Sequence, residues 1–280
     1  MQLRLTSILA SLMLVAGLGA ASAADMAVKA LPPPPVVDSW TGFYLGLNAG
    51  GIWGSNHLTA TPADPGTTAF WGPCFGAGAC PRDHGRNTGT SGEVGGQLGY
   101  NWQVRSFVVG VETDIQWTDV KSAPSVALTN LGTGFVAYNG AASAKLEWFG
   151  TTRGRLGFLA MPNLLLYGTG GVAYGSVASS WTASFVPPAS QFVAGFDRSN
   201  RVGWVAGAGA EWKLNRNWIV GVEYLHMELQ SRSFGATGFG SPGCTASDCN
   251  FTVNANDFKT DTVRARLSYE FAGGPVLAKY

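Results

Sequence analysis

From Trp40 to the carboxyl end the chain alternates between apolar and polar side chains, and every charge within the alternating runs falls on the parity opposite the aromatics. Period two is the signature of a strand with two different faces. Phe43, Leu45, Leu47 and Ala49 alternate with Tyr44, Gly46, Asn48 and Gly50. Val94, Leu98, Tyr100 and Trp102 oppose Glu93, Gln97, Asn101 and Gln103, and Phe107, Val109, Val111, Ile115 and Trp117 oppose Glu112, Asp114 and Gln116. Leu146, Trp148, Leu156 and Phe158 stand against Glu147, Thr151, Arg153 and Arg155. A Gly-rich run, Leu164 to Trp181, leaves its parity open. Val202, Trp204, Ala206, Ala208, Ala210 and Trp212 oppose Glu211 and Lys213; Trp218, Val220, Val222 and Tyr224 oppose Glu223; Val263, Ala265, Leu267, Tyr269 and Phe271 oppose Arg264, Arg266 and Glu270. These runs amount to eight strands.

A lipid-facing charge near the bilayer midplane costs a barrel about 2–4 kcal/mol, so strict segregation of charge by parity points to a membrane wall with its apolar face outward. A soluble sandwich or a lipocalin-like binder also alternates, with its apolar parity inward. Its outer face, however, needs many Lys and Glu. This chain is 12% charged with 39 Gly in 280 residues, against about 25% charged in ordinary soluble domains. Its net charge of +1 supplies no field for nucleic acid.

The connections alternate in length. Short turns fall at Arg105-Ser106, Met161-Pro162-Asn163 and Asn215-Arg216-Asn217, and long segments over roughly 55–91, 118–144, 182–200 and 230–260. Short turns on one rim and long loops on the other fit an up-and-down outer-membrane barrel, with turns periplasmic and loops extracellular. The expected fold is therefore all-β, an eight-stranded antiparallel transmembrane barrel closed by its first and last strands, since hydrocarbon tolerates no open sheet edge. Trp40, Trp102, Trp117, Trp148, Trp212 and Trp218 are expected at the interfaces as girdles. The narrow interior would hold Glu93, Glu112, Asp114, Glu147, Arg153, Arg155, Glu211, Glu223, Arg264 and Arg266, either as a paired polar plug or as the lining of an ion path.

Met1 to Ala24 carries one charge, Arg4, an apolar run from Ile8 to Leu18, and the small-x-small site Ala21-Ser22-Ala23. That order reads as a secretory signal over 1–23. Residues 24–39, with Pro32 to Pro35, read as an extended tether, and 40–280 as the barrel.

The segments WTGFYLGLNAG (Trp40 to Gly50), GTTRGRLG (Gly150 to Gly157), LYGTGGVAYG (Leu166 to Gly175) and GGPVLAKY (Gly273 to Tyr280) resemble the alphaproteobacterial outer-membrane immunogenic protein family, often labelled porin-family. The resemblance implies an OmpA-type barrel, a surface antigen, and insertion by the barrel assembly machinery through a terminal aromatic, for which Tyr269, Phe271 and Tyr280 are candidates. It supplies no catalytic residues and no cofactor.

Cys74 and Cys80 lie in the first long segment and Cys244 and Cys249 in the last. Export permits disulfides, either local (Cys74 with Cys80, Cys244 with Cys249) or between the two segments, which barrel closure makes neighbours. His226, with Glu228 and Ser231 nearby, is the one candidate for esterase-like chemistry. His57 and His84 could at most capture metal or haem weakly. Expected partners are outer-membrane lipid, the assembly machinery, and host or envelope components at the loops; the expected state is a monomer. The competing readings are a structural surface protein, a narrow pore and a lipid-modifying enzyme.

Overall fold

A computed structural model describes residues 39–69, 83–123, 125–129, 137–186, 191–239 and 249–272. The expected signal, nearly all of the expected tether, Cys74, Cys80, Cys244 and Tyr280 lie outside the described residues, and of His84 only the backbone is described. The strands are β1 (Gly42–Pro62), β2 (Asp83–Val104), β3 (Phe107–Ser122), β4 (Ser125–Thr129), β5 (Ala137–Met161), β6 (Leu164–Val186), β7 (Gln191–Lys213), β8 (Trp218–Leu229), β9 (Arg232–Phe239), β10 (Asn250–Ala255) and β11 (Phe258–Ala272). Eight of them, β1, β2, β3, β5, β6, β7, β8 and β11, form a closed antiparallel ring. Closure comes from β1 on β11, where Phe43 faces Phe271 and Ser55 faces Lys259.

Above the ends of β8 and β11 the ring continues through the β9–β10 hairpin, which pairs with β7 on one side and β1 on the other. β4 likewise continues β3 against β5. Much of the sequence expected as long loops is thus strand. The reason is that period two persists there with its polarity inverted: on β1, Leu58 and Ala60 face inward while Thr59 and Thr61 face outward. A search for lipid-facing apolar parity misses such a tier.

The short turns lie where expected. Val104 pairs with Phe107 around Arg105, whose φ of 57° is the left-handed conformation that tight hairpins use. Asn215 Oδ1 accepts from the backbone N–H groups of Asn217 and Trp218, which fixes the third turn without glycine.

Outside the ring, Phe43, Leu47, Val94, Trp102, Phe107, Trp117, Leu156, Val202, Trp212, Val222, Leu267 and Phe271 are exposed in one continuous apolar belt. On β1 it runs from Phe43 to Trp53, about 33 Å along the strand, which matches a hydrocarbon band about 25 Å tall once the strand is tilted. Above the belt the outer wall turns ionic, with Lys145 against Asp119 at 2.5 Å, Lys259 against Glu228 at 3.0 Å, and Arg198 against Glu147.

Two expectations need correction, and a facing left open is settled. Trp40 is fully buried within the barrel's turn-side mouth and takes no part in a girdle; its even number already shares the inward parity of Tyr44. Glu147 pairs with Arg198 on the outer wall and does not join the interior charges, because β5 carries a bulge between Leu146 and Trp148 that reverses parity and sends Leu146 inward. The run from Leu164 has its odd positions inward, with Leu165, Tyr167, Ala173, Val177 and Trp181 all buried.

Candidate functional site: an ion network between two apolar seals

The interior is layered. At the turn-side mouth Trp40 packs with Val108, Leu165, Tyr167 and Ile219. Its indole N–H donates to Pro162 O at 3.1 Å, and Lys213 Nζ sits 5.0 Å from its ring centre while pairing with Glu270 at 2.6 Å. One aromatic therefore caps the mouth with its polar edge satisfied and its face against a cation.

Above this seal lie four arginines and four carboxylates, each placed by strand parity. On β5, Arg153 bonds Asp114 at 2.8 Å and Glu223 at 3.1 Å and also contacts Glu112, while Arg155 pairs with Glu211 at 2.8 Å and Glu112 at 3.4 Å. On β11, Arg264 bonds Asp114 at 2.7 Å and, through Nε, Glu223 at 2.8 Å; Arg266 bonds Glu223 at 2.9 Å and also contacts Glu112. Two tyrosines complete the layer. Tyr44 accepts from Arg155 at 2.7 Å and donates to Glu112 at 2.6 Å; Tyr167 accepts from Arg266 at 2.8 Å and donates to Glu223 at 2.9 Å. The arginines and carboxylates at the centre are almost wholly buried, so removing any one leaves an uncompensated charge.

Space for these long side chains comes from inward glycines. A Cβ at Gly171 would lie 2.1 Å from Thr152 O and 2.7 Å from Arg153 Cα, and one at Gly209 would lie 2.5 Å from the Tyr167 hydroxyl. Glu93 stands apart at the upper edge. Its only described hydrogen bond comes from the Thr262 hydroxyl at 3.5 Å, and its Oε1 has none among the described residues.

Over the charges lies a second apolar seal, far larger than the first: Ile52, Val120, Leu146, Phe149, Val177, Trp181, Val205, Leu225, Met227, Leu229, Phe251 and Phe258 all face inward. Along β8 the change is abrupt, from Glu223 to Leu225, Met227 and Leu229 on one parity.

The other sequence candidates fall elsewhere. His226 is bonded to Asp261, with Nδ1 2.8 Å from Oδ1, and its ring lies 5.4 Å from that of Trp204 on the outer wall. Glu228 is taken by Lys259, and Ser231 lies in the break between β8 and β9, so the expected His226–Glu228–Ser231 group is not assembled. The reason is that 226 and 228 share the outward parity, while the break carries Ser231 beside His57 in a separate recess. Tyr269 and Phe271 are exposed near the turn-side end of β11. Cys249 is disulfide-bonded, its partner outside the described residues. Reading charge alone misses Tyr44 and Tyr167; for Tyr44 the signal was its even parity, shared with the inward face of β1.

A family model described as outer membrane protein beta-barrel domain matches residues 11–271. The 31 kDa outer-membrane immunogenic protein of Brucella melitensis biotype 1 is 35% identical over 90% of this chain and 93% of its own length. The 22 kDa outer membrane protein of Rhizobium leguminosarum bv. viciae is 30% identical over 72% of this chain and 70% of its own. Among solved structures, the outer membrane protein OprG from Pseudomonas aeruginosa aligns with a TM-score of 0.44 at 12% identity, covering 82% of this chain and 97% of that one. The chain belongs to the outer-membrane β-barrel protein family, alongside the outer-membrane immunogenic proteins of alphaproteobacteria.

Proposed function

We infer that this protein is a non-enzymatic structural and surface-display barrel, exported by the signal over 1–23, inserted by the barrel assembly machinery and working as a monomer that carries its upper strands and their connections beyond the membrane. The observation that carries this reading is the stacking of three closed layers along the interior: the Trp40 seal, the paired ion network and the apolar upper core. A solute path would have to cross all three, and in the upper layer the apolar side chains are interrupted by few buried polar groups, among them Arg201 on the Ser179 hydroxyl at 3.0 Å, so a hydrated ion would lose most of its shell there. The names of the Brucella relatives, immunogenic outer-membrane proteins, agree with a surface-exposed role. A closed ring leaves no sheet edge to share with a second copy, which supports the monomer.

The test is single-channel recording of the refolded full chain in planar bilayers. The expected result is no conductance steps above those of empty membranes. Reproducible steps that change when Arg153 is replaced would establish the narrow-pore function in its place.

A further inference from the structure

Three neighbouring strand paths lose regularity at one height just above the apolar belt. β1 changes register against β2 between His57 and Thr59; β8 gives way to β9 across 230–231; β10 gives way to β11 across 256–257. A single bulge bends a strand, but coincident irregularities in adjacent strands open the wall, and such features concentrate at functional sites. Here they open a recess of about 260 Å³ whose lining includes Ser55, His57, Ser231, Asn256, Asp257 and Lys259. Asn56 lines it too; its side chain is 2% exposed, donates to Asn256 O at 3.2 Å, and leaves Oδ1 with no hydrogen-bond partner among the described residues.

We propose that this recess binds one sugar ring of the glycolipid headgroups in the surrounding outer leaflet. Height argues for a headgroup: Trp53 pairs with Asp261, which pairs with His226, and Ser55, Lys259 and Glu228 form the next outward row above. Below the recess Asp261 accepts from the Tyr224 hydroxyl at 2.5 Å, and Trp204 lies against His226, so an aromatic and polar shelf marks the level where acyl chains end. Chemistry argues for a neutral polyol and against a phosphate. The lining cation Lys259 already pairs with Glu228 at 3.0 Å, and Asp257 adds a second acid, so no net positive charge awaits an anion. Serine hydroxyls, asparagine amides and a carboxylate offer the mixture of donors and acceptors that ring hydroxyls need. The volume is just below the roughly 300–1,000 Å³ typical of pockets for larger ligands.

The experiment is native mass spectrometry of the folded full chain in detergent, titrated separately with lipid A bearing a core that includes neutral sugars (the sugar-bearing lipid), lipid A stripped of its core sugars, and the free core oligosaccharide. The sugar-bearing lipid is expected to bind about tenfold more tightly than either of the others. Ser231→Trp, which fills the recess from an exposed break, and Asp257→Ala should each abolish that difference, while Asp119→Ala on another part of the rim keeps it. Heat-shifted gel mobility identifies the folded variants, and exposed Ser231 keeps the test available if Asp257→Ala misfolds. Equal binding of the two lipids, or a preference that survives Ser231→Trp, would overturn the site. Free oligosaccharide binding as tightly as the sugar-bearing lipid would overturn the headgroup as its source. Neither result bears on conductance, so this site and the sealed-barrel reading fail independently.

Discussion

Glu112 and Glu93 face the same interior on adjacent strands, yet their environments differ in a way that separates their mutants. Glu112 is held by Arg153, Arg155, Arg266 and Tyr44, whereas Glu93 has one long hydrogen bond from Thr262. Glu112→Gln leaves buried guanidinium charge uncompensated and should cost about 3–5 kcal/mol. Glu93→Gln removes no ion pair and should stay within about 1 kcal/mol of the parent or exceed it. Urea unfolding of the refolded barrels in micelles, followed by the heat-shifted gel band, reads both; equal losses would mean that the network is not paired as described. Parity in the sequence sufficed to place these residues inside, since alternation is a property of one strand. It could not say that Arg153 reaches both β3 and β8, because that depends on where strands far apart in sequence meet across the ring.

The element scale shows the same division in the strand wall. Gly170 and Gly171 are consecutive on β6, but a Cβ at Gly170 would have only Val205 O, 3.7 Å away, whereas one at Gly171 would strike the β5 backbone. Gly170→Val should therefore be neutral or stabilise by up to about 1 kcal/mol, a β-branched residue replacing glycine on an open outer face. Gly171→Val should cost about 1–3 kcal/mol or prevent closure. The folded fraction after detergent refolding distinguishes them, and a reversed order would contradict the assigned facing of β6. Sequence left that facing undetermined because glycine carries no polarity. It also concealed the bulge at Glu147: a one-residue insertion preserves period two on either side, so the run around Leu146 and Trp148 reads as unbroken while its two halves face opposite ways. The upper tier escaped for a related reason, its alternation being that of a soluble barrel, with Thr59 outside and Leu58 inside.

For the molecule as a whole, what matters is that the three interior layers are in series. Trp40 is anchored through Pro162 and Gln103 at the turn-side mouth, the arginine layer spans the middle, and the core around Trp181 and Phe251 fills the upper barrel, those two rings lying 5.5 Å apart. Trp40→Ala removes a fully buried aromatic and its indole hydrogen bond, and should lower stability by about 3–5 kcal/mol. It should nevertheless leave the protein electrically silent, because an ion entering at the opened mouth meets guanidinium groups already neutralised by Glu112, Asp114 and Glu223, then a mainly apolar column in which buried Arg201, bonded to Ser179 at 3.0 Å, is one of few polar groups and most of the hydration shell would go unreplaced. Melting of the variant in micelles and single-channel recording of the same preparation test the two halves of this expectation together. Lower stability with no conductance fits seals in series. Conductance on removal of Trp40 alone would mean that the layers above are hydrated and open, and that the one aromatic had been the gate.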